Sequence, residues 1–360
     1  MFHTNIHWSK QISKNGPDMI GKMNWKFSLQ DVVSTSEPVI DAQGNILFGA
    51  NNGDVFSISK EGTTNWRVNI GKGAQSSPTL DHEQYLYLVV NHGDRNSLYK
   101  VDGAGNLLWA TRLEHNKHFE PILDQDGNIY IVTWHDLVKI NSAGYHLWSF
   151  SCRNISSYPV FDSKGNVYFS AREEPGVLIS LTKDGDLRWK KEYGKCYLEF
   201  APIVDKEDHL YFAFADEQSL HSLYSIDTDG NMNWKYTPGD RGFISSPALS
   251  NEGYLVLGTT YFRVCAVDTS GQLLWETDLG HITQFSPILD HRNQVYLFTV
   301  VKKRKPESYI WCLNQHGQPL WKRRFRGAMT WFNLSLEGLL LTKFVDADRF
   351  DVDLVAYEMK

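Results

Sequence analysis

Residues 225–234, SIDTDGNMNW, read as the end of one β-strand, a tight turn and the start of another. A tryptophan closes the turn, and nearly the same phrase recurs along the chain. SISKEGTTNW ends at Trp66, KVDGAGNLLW at Trp109, KINSAGYHLW at Trp148 and SLTKDGDLRW at Trp189. AVDTSGQLLW ends at Trp275 and CLNQHGQPLW at Trp321. Glycine stands four residues before tryptophan every time, at Gly62, Gly105, Gly144, Gly185, Gly230, Gly271 and Gly317. Successive tryptophans lie 39 to 46 residues apart. That is the length of a four-stranded propeller blade, not of a helical repeat.

A second phrase keeps the same period: proline, two apolar residues, usually aspartate, a short turn and a strand. Examples are EPVIDAQGNILFG from Glu37, EPILDQDGNIYIV from Glu120 and YPVFDSKGNVYFS from Tyr158. Asp-x-x-Gly-Asn is hairpin chemistry, because aspartate bonds its own backbone and glycine accepts positive φ. Proline opens the innermost strand, where a missing N–H costs little. Each unit therefore reads as strand A from the proline, a turn, strand B, a variable loop, strand C, the glycine turn, and strand D with its tryptophan. The indole is expected to lie between adjacent blades and to offer its N–H to a backbone carbonyl.

Seven complete units account for residues 37 to about 326, and the two ends complement each other. The C-terminal WFNLSLEGLLLTKF…FDVDLVAYEMK supplies strands A, B and C, with Phe332 where the proline should stand. The N-terminal GKMNWKFSL has Gly21 four residues before Trp25, which is the missing strand D. The expectation is all-β: an eight-bladed propeller over residues 21–360, closed by the N-terminal strand pairing with the last blade, after an extension at 1–20. Such closure leaves no free sheet edge at the seam.

The 360 residues carry a net charge of −6, so no global positive field points to nucleic acid or to a membrane surface. The first twenty residues lack an apolar h-region, and no apolar run approaches the ~20 residues of a membrane helix. Cys152, Cys196, Cys265 and Cys312 are far apart and form no CxxC. Together these features predict a cytoplasmic chain with buried reduced thiols. A monomer is expected.

The glycine–tryptophan phrase resembles the tryptophan-docking motif of the PQQ-like, or quinoprotein-type, β-propellers. That family includes PQQ-dependent alcohol dehydrogenases, the outer-membrane β-barrel assembly lipoprotein and ligand-sensing domains of bacterial kinases. The resemblance covers nearly the whole chain and implies the fold, but one superfold hosts many functions. The dehydrogenases hold their cofactor against a vicinal cysteine pair, and no two cysteines are adjacent here. No residue matches their calcium ligands, so no cofactor and no metal are expected. No lipobox cysteine stands near residue 20.

Other motifs read as structural. Asp227 to Asn231, DTDGN, resembles part of a calcium loop but falls on the shared glycine turn without a glutamate at the twelfth position. His115 and His118 have i, i+3 spacing on a loop between strands, where solvated imidazoles are the rule. Blade 7 is locally basic, with Lys302, Lys303, Arg304 and Lys305 in one loop and Lys322, Arg323, Arg324 and Arg326 on strand D. It could receive an anionic partner; the plainer reading is charge that blunts an outer edge, neutralised by Asp346, Asp348, Asp351 and Asp353.

In propellers, ligands sit where the D–A and B–C loops converge. The D–A approaches carry Glu37, His118, Glu120, Tyr158, Glu199, Gln284 and Trp331. The B–C loops carry Asn91, His92, Trp134, His135, Arg172, Glu173, Tyr261 and Lys343. Glu37, His92, Trp134, Arg172, Glu199, Tyr261, Gln284 and Trp331 are therefore candidate ligand contacts. Glu120, His118 and His135 are candidates for proton transfer beside Trp134 in blade 3. Three functions follow: a binding or scaffold module for a protein partner or small polar ligand, an enzyme (lyase, hydrolase or isomerase) using these Glu and His residues, and a PQQ-dependent dehydrogenase. The missing cysteine pair argues against the third.

Overall fold

Six of the blades begin with a hairpin held by one aspartate, and in blades 6 and 8 Ser250 and Ser335 stand in its place. In blade 3, Asp124 Oδ1 accepts the N–H groups of Asp126 and Asn128 at 3.0 and 2.8 Å, and Gly127 completes the turn by donating to the Asp124 carbonyl. The same exchange recurs at Asp41, Asp81, Asp162, Asp205 and Asp290. A tyrosine six residues on closes the device in several blades. The hydroxyls of Tyr87, Tyr168 and Tyr211 donate to Asp81, Asp162 and Asp205, and their rings contact Trp109, Trp189 and Trp234. Burial, together with these aspartates, pushes the three phenols well above the ordinary tyrosine range.

The computed structural model describes residues 20–29, 36–71, 73–92, 96–113, 120–194, 201–215, 221–239, 242–243, 245–259, 262–280, 286–301, 306–327, 329–335, 339–346 and 351–359. Among them the regular structure is all strand, and no helix is long and apolar enough to cross a membrane. The strands form eight antiparallel sheets: blade 1 (39–69), blade 2 (74–113), blade 3 (122–151), blade 4 (160–194), blade 5 (203–236), blade 6 (248–278), blade 7 (288–326) and blade 8 (329–359 with 20–29). Each has four strands in A-B-C-D order, and blade 2 adds the short strand Ala74–Gln75 beside its strand B. The fold is the eight-bladed β-propeller the repeat predicts.

The N-terminal strand Ile20–Leu29 is strand D of blade 8. It pairs antiparallel with Asp351–Met359, Trp25 opposite Ala356 and Leu29 opposite Val352. Lys26 binds Asp353 at 2.8 Å and Ser28 donates to the same carboxylate at 2.7 Å. Asp353 therefore serves this seam.

The chain divides into two compact units, one holding blades 8, 1, 2 and 3 and the other blades 4 to 7. Within each unit, neighbouring blades share their cores. Val39, Leu47 and Val55 of blade 1 pack with Leu86, Leu88 and Val90 of blade 2. Tyr211, Ala213 and Leu223 of blade 5 pack with Leu255, Leu257 and Cys265 of blade 6. Strands B are consequently buried along their length rather than on alternate residues, as in Leu210–Ala215. A sheet covered on both faces needs apolar residues on both.

The indoles span these junctions. Trp66 Nε1 donates to the Gly103 carbonyl at 2.9 Å, Trp234 to Thr269 at 2.6 Å and Trp275 to Gln315 at 2.8 Å. Gly105, at φ +88°, lies against the Trp66 ring, where a Cβ would come within 2.8 Å of Cδ2. Glycine thus meets two demands there, a backbone that L side chains resist and the space for an indole.

Candidate functional site

Proline at the start of strand A in blades 1 to 7 removes an N–H from the inner edge, and in blades 1, 2, 4 and 6 serine repairs the ladder. Ser36 N donates to the Gly49 carbonyl, and Gly49 N donates back to Ser36 Oγ, both at 2.8 Å. Ser76 and Val89 repeat the exchange at 2.8 and 2.9 Å in blade 2. In the second unit, Ser157 Oγ and Ser245 Oγ accept from Ser170 N and Gly258 N. Serine two residues before proline was a readable signal in the sequence, and its meaning is structural. It pins the residue immediately before the proline at the inner edge.

In the first unit this places a row of polar groups across blades 8, 1, 2 and 3. Glu37 N donates to Ser77 Oγ at 3.1 Å, and Thr79 Oγ1 donates to the Pro121 carbonyl at 2.5 Å. Lys343, on strand B of blade 8 and only 6% exposed, sends Nζ to the Ser36 carbonyl at 3.4 Å. Burial holds its ammonium below the ordinary lysine range, and the charge of Glu37 opposes that shift. Trp331 is the register partner of Lys343. It is 4% exposed and packed with Leu29, Phe48 and Leu341, so it is a core residue. Its Nε1 has no hydrogen-bond partner among the described residues.

Blade 3 separates its candidates by environment. Glu120 is 7% exposed, whereas Trp134 is 53% exposed and His135 stands beside it at the surface. The Trp134–His135 pair tops a tight turn in which Thr133 N donates to the Asp136 carbonyl and Thr133 Oγ1 accepts from Asp136 N. His118, Glu199, Tyr261 and Gln284 lie outside the described residues. His92 lies within 3.1 Å of the Tyr99 hydroxyl through Nε2, and its Cε1 would meet a Cβ on Gly71 at 3.0 Å. Arg172, in the second unit, is exposed and anchored by its backbone N–H to Asn154. The structure thus brings Glu37 together with Lys343 and Ser77.

The turn aspartates are occupied. Asp227 accepts the N–H groups of Asp229 and Asn231 and the Asn231 side chain, and these bonds hold its carboxyl below the usual range against the effect of burial. Asp205, Glu207 and His209 bring ligand-type atoms within 4.8 Å of one another. Asp205 already accepts from the N–H groups of Glu207 and His209 and from Tyr211, and His209 Nδ1 lies 3.1 Å from it. That cluster is a hairpin. In blade 7, Lys302 to Lys305 lie outside the described residues. Lys322 Nζ sits 4.0 Å over the Trp311 ring and Arg324 pairs with Glu307 at 2.5 Å, so these cations are engaged within their own blade.

A family model described as outer membrane protein assembly factor BamB matches residues 134–334, more than half of the chain. No curated protein sequence matches significantly. Among solved structures, BamB from Moraxella catarrhalis is similar with a TM-score of 0.64 at 15% identity, over 94% of this chain and 100% of that one. The C-terminal WD40 domain of Sif2 gives 0.66 at 13%, over 96% and 99%. Sqt1 of Saccharomyces cerevisiae gives 0.64 at 10%, over 95% and 100%. At these identities the structural likeness speaks to the fold alone.

Proposed function

As the chain belongs to the family described as outer membrane protein assembly factor BamB, we propose that it is a non-catalytic propeller that binds a protein partner. The family match is the observation that carries this reading, since it names a factor that assembles other proteins. The disposition of polar groups supports it: the repeated aspartates hold turns, the serines before the prolines hold strand edges, and Asp–Tyr pairs underlie the tryptophans. The contact surface is placed on the first unit, at the approaches to blades 1 to 3. Glu37 lies at one approach, and the exposed Trp134–His135 turn offers an amphipathic indole of the kind interfaces use. The cytoplasm is the proposed compartment, and the buried cysteines Cys152, Cys265 and Cys312 suit it.

The test is recovery of a tagged chain from its own cells at native expression, followed by reconstitution of the recovered partner with purified protein. A one-to-one complex in light scattering is the expected result. The double variant Trp134→Ala with His135→Ala, both exposed, should weaken it at least about ten-fold, or 1.4 kcal/mol, with the melting temperature unchanged. Failure of every recovered protein to reconstitute a complex would overturn the reading. So would full affinity in a Trp134→Ala, His135→Ala variant, as far as the assigned surface is concerned. Fractionation of the cells decides the compartment.

A further inference from the structure

We infer that an open groove of about 720 Å³ between strand D of blade 4 (Leu187–Gly194) and blade 5 docks a short acidic peptide segment of a partner protein. This rests on the protein-binding reading above but concerns a different surface, wholly within the second unit.

The junction beside this groove departs from four of the others. At Gly62, Gly105, Gly271 and Gly317 an added Cβ would meet the indole of the preceding blade first. At Gly230 it would instead meet the Lys191 stem, at 2.9 Å from Cδ. Lys191 stands two residues after Trp189, where blades 5 and 6 carry Tyr236 and Thr277. Its Nζ donates to the Gly230 carbonyl at 2.6 Å, while Trp189 Nε1 still reaches Thr228 at 2.9 Å. Lysine thus takes the indole's place over the turn and brings a cation to the junction.

The lining has two chemistries. Tyr193 forms an aromatic floor, its ring 4.9 Å from Phe212 and 5.4 Å from Tyr224. Burial pushes the Tyr193 phenol up to about 12, so it stays protonated and can donate. Met232 is 60% exposed at the rim. Around this floor stand Lys190, Lys191 and Lys235 against the single carboxylate of Glu192. Lys235 Nζ lies 5.4 Å over the Tyr224 ring. The nearby acids are already engaged: Glu173 pairs with Lys190, Asp229 with Arg188, and Asp227 accepts within its own turn.

Lys191 and Lys235 beside an aromatic floor, with Lys190 already shared with Glu173, complement carboxylates that alternate with apolar side chains. A polyanion is the poorer match, because the whole chain carries −6 and Glu192 projects among the lysines. Strand D is the last strand of its sheet, and its charged residues disfavour simple strand addition. The peptide is therefore held through its side chains.

The experiment titrates the purified full chain, by fluorescence anisotropy, into a labelled hexapeptide alternating glutamate with leucine. Its glutamine-for-glutamate counterpart and a twelve-residue oligothymidylate serve as the other probes. The acidic peptide should bind at least about ten-fold more tightly than the glutamine peptide, and added salt should weaken it. Lys191→Met with Lys235→Met keeps the aliphatic stems and should remove at least about ten-fold of that affinity. Lys235→Gln alone, at an exposed position, should remove part of it and keeps the test open if the double variant folds poorly. Equal binding of the two peptides, no binding of the acidic one up to about 1 mM, full affinity in the folded lysine variants, or tighter binding of the oligothymidylate would each overturn the inference. A partner recovered from cells that binds the double variant at full strength would sink the groove and leave the protein-binding reading standing.

Discussion

Gly105→Ala against Gly127→Ala separates backbone strain from indole packing within one protein. Both glycines occupy Asp-x-x-Gly-Asn turns with the same hydrogen bonds, at φ +88° and +77°. Around Gly127 a Cβ would meet nothing within 4 Å, whereas at Gly105 it would meet Trp66 Cδ2 at 2.8 Å and Cε3 at 3.0 Å. Alanine in the left-handed region costs about 1–2 kcal/mol, and Gly127→Ala should cost that alone. At Gly105 the indole must also move away from the turn. Its hydrogen bond to Gly103, 2.9 Å long, contributes about 1 kcal/mol. Re-exposing roughly 50 Å² of a ring that packs on the blade 1–2 core adds about 1.2 kcal/mol. Gly105→Ala should therefore cost about 2 kcal/mol more than Gly127→Ala. Denaturant midpoints with unchanged slopes measure both, and tryptophan emission reports the displaced ring. In a Trp66→Ala background the two substitutions should cost the same. Equal costs in the wild-type background would refute the claim that the turn glycine is required by the indole.

Deleting residues 1–29 removes strand D of blade 8 and exposes the edge of Asp351–Met359, so the truncated chain should aggregate or melt several degrees lower; melting like the intact protein would disprove this closure. Lys343→Met replaces a buried ammonium by a side chain of similar shape and should raise the melting temperature at pH 7. Because the folded-state pKa of Lys343 lies below its unfolded value, the unfolded chain binds more protons between the two, and wild-type stability rises with pH through that window. The variant's advantage should shrink as pH approaches 10.5, and a gain that stays constant with pH would assign it to packing. Reconstitution with PQQ and calcium should give no alcohol-dependent dye reduction, since no two cysteines are adjacent; steady turnover in that assay would refute the expectation.

The sequence by itself determined the number of blades, their boundaries and the seam. The residues that carry this information act within one repeat of themselves: Asp124 holds its own hairpin, Gly105 its own turn, and Trp66 the turn one period later. Repetition makes such local rules visible seven times over, and Gly21 with Trp25 supplies the eighth. The candidate surfaces depended on tertiary structure. Lys343 is buried because strand B of blade 8 folds beside Ser36, 307 residues away in sequence. Trp331, on an approach where a ligand contact was expected, is core because Phe48 and Leu29 come from elsewhere in the chain to cover it. The blade 7 cations look free in sequence, yet Trp311 and Glu307 on the neighbouring strand engage Lys322 and Arg324. Lys191 carries no repeat signature, and only the packing of blade 4 on blade 5 puts its stem in place of an indole over Gly230. Turn chemistry is written in adjacent residues, whereas burial and charge pairing are set by neighbours that only the packing of one blade on the next supplies.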